Sequence, residues 1–148
     1  MLSLRFSRAS LGFALLATLL LTTFTATAKT GAEFTGYYDY SGAVEQGDLV
    51  HLTLHVKIFN HGDTDLKGVI VTLHDSAPAM AFLGNFQPVK VWKKQQFIDI
   101  TQDFSVSKLE FKQWKAAPAQ PNLFILFQDP KGQSYQKSVQ ISRRPLLQ

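Results

Sequence analysis

The feature that most restricts the fold of this chain is the run LVHLTLHVKIF, residues 49–59, in which apolar and polar side chains alternate. A period of two places alternate side chains on opposite faces of a β-strand, whereas a helix requires a period near 3.6. The run therefore predicts a strand with one face in a core and the other toward solvent. The expected core positions are Val50, Leu52, Leu54, Val56 and Ile58, and the expected outer positions are His51, Thr53, His55 and Lys57.

Similar strand patterns recur along the chain, separated by residues typical of turns. Between residues 76 and 94, two prolines and Gly84 interrupt the pattern, which predicts a short edge strand and a loop. The sequence DPKG, residues 129–132, predicts a tight turn. About seven strands at this spacing indicate an all-β sandwich, because two half-apolar sheets must cover each other. The other strands are expected at 33–40, 68–75, 97–106, 122–129 and 134–143.

One segment breaks the alternation and predicts a short helix near residues 107–116. Ser107 and Glu110 have the S-x-x-E spacing of a capping box, in which a serine hydroxyl caps the first turn of a helix. We expect Leu109, Phe111 and Trp114 to close one end of the core.

The N-terminal segment has the pattern of a secretory signal peptide, so we do not expect it to be part of the folded domain. Arg5 and Arg8 precede an uncharged apolar run at 11–25, and Ala26-Thr27-Ala28 has the small-x-small pattern of a cleavage site. The apolar run is shorter than the roughly 20 residues that span a bilayer. We therefore expect cleavage after residue 28, one mature domain at residues 29–148 without a membrane span, and a periplasmic or extracellular location in a bacterium.

Charge and cysteine content exclude several classes of function. Loss of the two signal-peptide arginines lowers the formal net charge from +4 to +2, and no basic cluster remains that would follow a nucleic acid backbone. The chain has no cysteine, which excludes disulfides, thiol catalysis and cysteine-ligated metals. The exported domain must therefore be stabilised by packing alone.

The run V-x-L-x-L-x-V-x-x-x-N-H-G-D-x-D-L-x-G-V-x-V-T-L, residues 50–73, resembles the second and third strands of bacterial immunoglobulin-like modules of the fibronectin-III and CARDB-like kind. The segment from Phe104 to Ile141, with Trp114 and the DPKG turn, is similar to their last strands. The resemblance implies an immunoglobulin-like sandwich that binds a partner or acts as a spacer. The Cys…Trp…Cys spacing of antibody domains is absent.

The four histidines, with Asp63, Asp65 and Asp75, raise the question of a metal site. Residues four apart on a strand lie about 13 Å from each other, so His51 and His55 cannot share one ion. If 49–59 and 67–75 formed a hairpin, His51 could lie opposite His74; in an immunoglobulin-like sandwich the two strands would belong to different sheets. An ordinary polar outer face is the favoured interpretation, and the two aspartates of Asp63-Thr64-Asp65 are too few for calcium.

No motif of nucleophilic catalysis is present: the G-x-S-x-G motif is missing and no serine or threonine has a recognisable base beside it. A pair of carboxylates for glycoside hydrolysis would be brought together only by the fold, and most of the eleven acidic residues are expected in turns or on outer faces. The leading hypothesis is a non-catalytic module of the cell envelope, without cofactor, that binds another envelope protein or a glycan. Segment 84–97 is aromatic and basic, and Phe86, Trp92 and Phe97 are the predicted binding residues. The alternative is a periplasmic binder of a small ligand, copper or zinc that uses the histidine-bearing face, with His51 and His74 as candidate ligands.

Overall fold

The computed structural model describes residues 33–76, 78–116, 119–129 and 131–144. The predicted signal peptide, residues 1–28, lies outside them, so its cleavage stays a prediction. None of the helices in these described ranges has the length and hydropathy needed to cross a membrane.

Strands dominate the described chain, as the alternation predicts, and a single short helix interrupts them. The elements are β1 (Phe34–Gln46), β2 (Leu49–Asn60), β3 (Leu66–His74), β4 (Phe82–Asn85), β5 (Val89–Trp92), β6 (Phe97–Ser107), α1 (Lys108–Lys115), β7 (Asn122–Gln128), β8 (Ser134–Ser138) and β9 (Gln140–Arg143).

Two sheets pack face to face, which confirms the all-β sandwich. The four-stranded sheet has the order β6-β2-β1-β9, and the five-stranded sheet has the order β4-β3-β7-β8 with β5 also paired to β3. All neighbouring strands are antiparallel except β1 and β9, which run parallel. The inward side chains of both sheets form one hydrophobic core.

The strand from which the fold was predicted behaves as expected. Along β2, buried and half-buried side chains alternate from Val50 to Ile58, and β2 lies between β1 and β6 at the centre of its sheet. Each apolar position predicted for its inner face is at most 3% exposed. The predicted tight turn after β7 is also formed, since the amide of Gly132 donates to the carbonyl of Asp129 at 2.9 Å.

The first and last strands differ from the prediction. The strand expected to end at residue 40 continues to Gln46, because an irregularity between Ser41 and Val44 absorbs the Ser-Gly pair without ending the pairing with β2. The single strand expected at 134–143 is divided: β8 pairs with β7, and β9 pairs with β1 in the other sheet. Val139, at the division, is buried, and the last strand therefore links the two sheets.

The helix forms where it is predicted, but its side chains are only partly where we expected them. The hydroxyl of Ser107 accepts the amide hydrogen of Glu110 at 3.1 Å, which confirms the first half of the capping box. Phe111 and Trp114 are buried, whereas Leu109 is 68% exposed, so its predicted place in the core is wrong. The carboxylate of Glu110 is buried instead and accepts hydrogen bonds from Ser76 and from the indole of Trp114.

Candidate partner-binding surface

The predicted binding segment 84–97 is divided by the fold into buried and exposed parts. Phe86 is 2% exposed and Trp92 is 1% exposed, and both belong to the core. The indole of Trp92 donates to the carbonyl of Gln96 at 2.9 Å, and its ring lies 5.4 Å from that of Phe34. The placement of these two residues on a surface is therefore corrected: Phe86 directly follows β4 and Trp92 ends β5, and both side chains are buried and not accessible to a partner.

Phe97, at the start of β6, is the residue of this set that remains accessible, with 52% of its surface exposed. Its ring lies 4.7 Å from that of Phe59, and the ammonium group of Lys57 lies 5.2 Å above it. Phe59 also contacts the ring of His61 at 4.7 Å. We call Phe97, Phe59, His61 and Lys57 the aromatic patch; it occupies one end of the outer face of the four-stranded sheet.

The rest of that outer face is a network of short polar contacts between neighbouring strands. Nδ1 of His51 and the hydroxyl of Ser105 are 2.7 Å apart, and the hydroxyl of Thr53 donates to Asp103 at 2.6 Å. His55 lies between two hydroxyl groups, with Ser41 at 2.9 Å and Thr101 at 3.1 Å. These contacts link β2 to β1 and to β6 through side chains as well as through the backbone, as cross-strand pairs do.

The two candidate metal ligands are not brought together. His51 lies in β2 of the four-stranded sheet, and His74 lies in β3 of the five-stranded sheet, so the hairpin that would place them opposite each other does not form. His74 contacts Thr72 at 3.1 Å and the carbonyl of Met80 at 2.9 Å, between the rings of Phe82 and Phe124. Across the described ranges, no group of three or more histidine, aspartate or glutamate side chains has a geometry suited to a metal ion.

The aspartate pair considered for calcium belongs to a surface turn. The Asp65 carboxylate accepts the amide hydrogen of Lys94 at 2.9 Å and a hydrogen bond from the ammonium group of Lys93 at 3.0 Å. These bonds, the amide first and the ammonium second, lower the pKa of Asp65 below its usual range. The carboxylate therefore anchors the β5–β6 turn against the start of β3.

Two tyrosines have altered acidity for a structural reason. Burial raises the pKa of Tyr38, although the charge of Arg143 opposes the effect. Partial burial, together with the negative charge of Asp129, raises the pKa of Tyr135. Tyr38 lies in the four-stranded sheet and Tyr135 in the five-stranded sheet, so the structure does not combine them in one site.

Sequence analysis missed several exposed apolar side chains outside the predicted segment. Three of them exceed half exposure: Val44, Phe82 and Leu109. Val44 follows the irregularity in β1, and Phe82 lies on an interrupted edge strand, so neither was part of a regular alternation. No ring contact is formed by Val44 or Leu109, and Phe82 contacts only the ring of His74, whereas Phe97 belongs to a cluster with Phe59 and His61 within the described part of the chain.

No protein-family model and no curated protein sequence matches the chain. Among solved structures, the chain is similar to a GH20 exo-β-N-acetylglucosaminidase from Vibrio harveyi, in an inactive-mutant crystal structure, with a TM-score of 0.46 and 16% identity over 75% of this chain. A second structure of the enzyme, in complex with N-acetylglucosamine, has a TM-score of 0.43 and 17% identity over 75% of this chain. The chain spans 18% of the enzyme chain in each structure, and likeness this distant carries no argument about what the chain binds.

Proposed function

We propose that the chain is an exported, non-catalytic binding module of the bacterial cell envelope that holds another protein at its aromatic patch. The observation that carries the proposal is the exposure of Phe97 on the outer face of a continuously paired sheet, beside Phe59 and below the ammonium group of Lys57. Aromatic side chains that are exposed and yet held in place by neighbours are frequent anchors of protein interfaces.

The strand order supports an immunoglobulin-like version of the sandwich. Strands β1, β2 and β6 share one sheet, and β3, β7 and β8 share the other. In immunoglobulin domains the A, B and E strands likewise face the C, F and G strands. Domains of this architecture recur in cell-surface proteins, which agrees with an envelope role.

The outer face is better suited to docking than to chemistry. His51, His55 and Asp103 each have a hydroxyl-bearing neighbour at hydrogen-bonding distance across the strands. On the β6 side the face is uninterrupted, because β2 pairs with β6 over its whole length. The alternative, a copper or zinc binder with His51 and His74 as ligands, lacks such support, since these residues belong to different sheets.

Site-directed photocrosslinking in the native host tests the binding role. A benzophenone-bearing amino acid at position 97 should crosslink one dominant envelope protein, and Phe97→Ala should weaken its co-purification. The matched control is position 82, because Phe82 is also a phenylalanine, is 60% exposed and lies in the other sheet. Equal crosslinking at both positions, or none at 97, would contradict the proposal. Saturable glycan binding lost in Phe97→Ala would reassign the patch to a sugar.

Export is tested separately. N-terminal sequencing of the protein recovered from cell fractions is expected to begin at Lys29, with the protein in the periplasmic or extracellular fraction. A chain that starts at Met1 and remains in the cytoplasm would overturn the envelope assignment.

A further inference from the structure

The edge of the four-stranded sheet formed by β6 has backbone groups directed away from the sheet. β6 pairs with β2 without a bulge, from Ser107 opposite Leu49 to Phe97 opposite Phe59. Beyond the two ends of this register, the amide of Lys108 donates to Asp48 at 3.0 Å and the amide of Asn60 donates to Gln96 at 3.1 Å.

These flanking bonds fix which residues of β6 face the free edge. In an antiparallel ladder, every second residue exchanges both of its backbone bonds with the partner strand, and the residues between them point away. Since positions 96 and 108 bond toward β2, the even-numbered residues of β6 do so too. The odd-numbered residues direct their amide and carbonyl groups outward, and they are Phe97, Asp99, Thr101, Asp103 and Ser105.

The other described edges are protected in ways that β6 is not. β8 has 5 residues and carries Lys137, and β9 has 4. β4 and β5 have 4 residues each and are separated by Pro88. Short strands, prolines and lysines are the usual means of preventing unwanted pairing at an edge. β6 has 11 residues without proline, glycine or lysine, so it is the described edge best suited to accept another strand.

The side chains along this edge indicate the charge of the added strand. Asp99 and Asp103 are both exposed on the outer face, and their spacing corresponds to about 13 Å along a strand. Asp99 makes no ion pair within the described part of the chain, and the ammonium group of Lys57, its cross-strand neighbour, lies over the ring of Phe97. An added strand would need lysine or arginine at two positions four residues apart.

The same charges argue against a second copy of this chain as the occupant. An antiparallel copy centred on Thr101 would place Asp99 opposite Asp103 at both ends of the pairing, and a copy centred on either aspartate would place that aspartate opposite itself. A copy centred on Ile100 or Gln102 avoids these pairs, but it places Phe97, Thr101 or Ser105 opposite the aspartates and gives neither of them a cationic partner. Like charges directly opposite each other destabilise a strand pair.

We propose that β6 accepts an extended basic segment of the partner protein by antiparallel strand addition, an inference that rests on the proposed binding role. The segment has lysine or arginine opposite Asp103 and Asp99, and an apolar residue that covers Phe97. Main-chain bonds to the odd-numbered residues hold the segment, and the two aspartates with Phe97 set its register.

The test uses the full chain, expressed and exported by its host. It compares the binding of two synthetic peptides: one has the pattern Lys-x-Thr-x-Lys-x-Phe, and the control has glutamate in place of both lysines. We expect the lysine peptide to bind and to protect the amides of Asp99, Thr101 and Asp103 from hydrogen exchange. Thr101→Pro removes one outward amide and should weaken binding at least tenfold. Thr101→Val is the matched control, because it also loses the hydroxyl but keeps the amide, and it should bind within about twofold of the original. Asp99→Asn should weaken binding about threefold, as expected for one exposed ion pair.

Several results would overturn the proposal. Equal binding of both peptides, unchanged binding by Thr101→Pro, or protection of amides outside β6 would each contradict it. A dimer that Thr101→Pro disrupts would make a second copy the occupant. If neither peptide binds but position 97 still crosslinks an envelope protein, the binding role stands and strand addition is wrong.

Discussion

At the outer edge of the five-stranded sheet, β4 and β5 lie end to end along β3, and the residue that ends β5, Trp92, is buried. At the outer edge of the four-stranded sheet, β6 runs unbroken beside β2, and the residue that begins it, Phe97, is exposed. Only a few residues separate the two aromatic side chains in sequence. The comparison shows that an aromatic, basic segment need not form one surface, because a turn can direct its residues into the core and outward in succession.

The largest expected effect concerns stability and uses this pair of residues. Trp92→Ala should reduce the free energy of unfolding by about 3–5 kcal/mol, because it leaves a large cavity in the core. Phe97→Ala should change it by about 0.5 kcal/mol, as is usual for a surface substitution. Urea denaturation of both variants measures the difference. Similar losses in the two would show that Phe97 is a packing residue and would remove it from the candidate surface.

A second prediction concerns the polar anchor on the side of the five-stranded sheet. Glu110→Ala should lower the free energy of unfolding by about 2–3 kcal/mol, because the amide and hydroxyl of Ser76 and the indole of Trp114 lose their hydrogen-bond acceptor. Glu110→Gln retains one acceptor oxygen and should cost less. Glu45→Ala is the control, since Glu45 pairs with Lys108 at an exposed site where such pairs contribute about 0–1 kcal/mol. Equal effects of Glu110→Ala and Glu45→Ala in urea denaturation would contradict the buried anchor.

A third prediction tests the alternation of bonds along β6. Ile100→Pro should lower the free energy of unfolding by about 1–3 kcal/mol more than Ile100→Val does, because it removes a backbone hydrogen bond to β2 and leaves a carbonyl acceptor of β2 unpaired. The loss of unfolding free energy in Thr101→Pro, measured relative to Thr101→Val, should be clearly smaller than the corresponding loss at position 100, since the amide that Thr101→Pro removes faces away from β2. Thermal unfolding of the four variants makes the comparison. If Thr101→Pro were the more damaging, the assignment of outward amides would be reversed.

The smallest expected effect is a pH dependence of the stability that Asp65 contributes at the β5–β6 turn. The pKa of Asp65 is lowered in the folded protein, so the stability that its bonds contribute is present above the usual aspartate pKa of about 4 and declines as pH falls through the lowered value. Asp65→Asn should therefore be less stable to unfolding than the original protein near neutral pH, and this difference in stability should shrink as the pH falls. A carboxyl titration followed by NMR should show Asp65 below the usual range; a value above it would contradict the prediction.

The prediction of the fold succeeded where a pattern is local and regular. The alternation of β2 identifies its buried face, and the Ser107 cap identifies the start of α1, because both depend on neighbouring residues alone. Irregular segments could not be resolved in this way. Nothing in the residues near Val139 signals that the last strand leaves one sheet and joins the other, since β1, the partner of β9, lies about 100 residues earlier in the sequence.

The candidate site was predictable only in part for the same reason. Phe97 lies on the polar side of a regular strand, so its exposure follows from the alternation. Phe86 and Trp92 occupy a loop and a short strand, where no period distinguishes the inner face from the outer one. Glu110 has the position of a capping residue, yet its carboxylate bonds to Ser76, which only the packing of α1 against the end of β3 brings near.

By itself the sequence determined the all-β class, the core face of β2 and the position of the helix, because the hydrophobic period and the capping residue are properties of short segments. The tertiary structure alone decided which aromatic residues of 84–97 are accessible, that His51 and His74 lie in different sheets, and that β6 is a long free edge. These properties depend on which strands become neighbours, and that is settled by the packing of the whole sandwich.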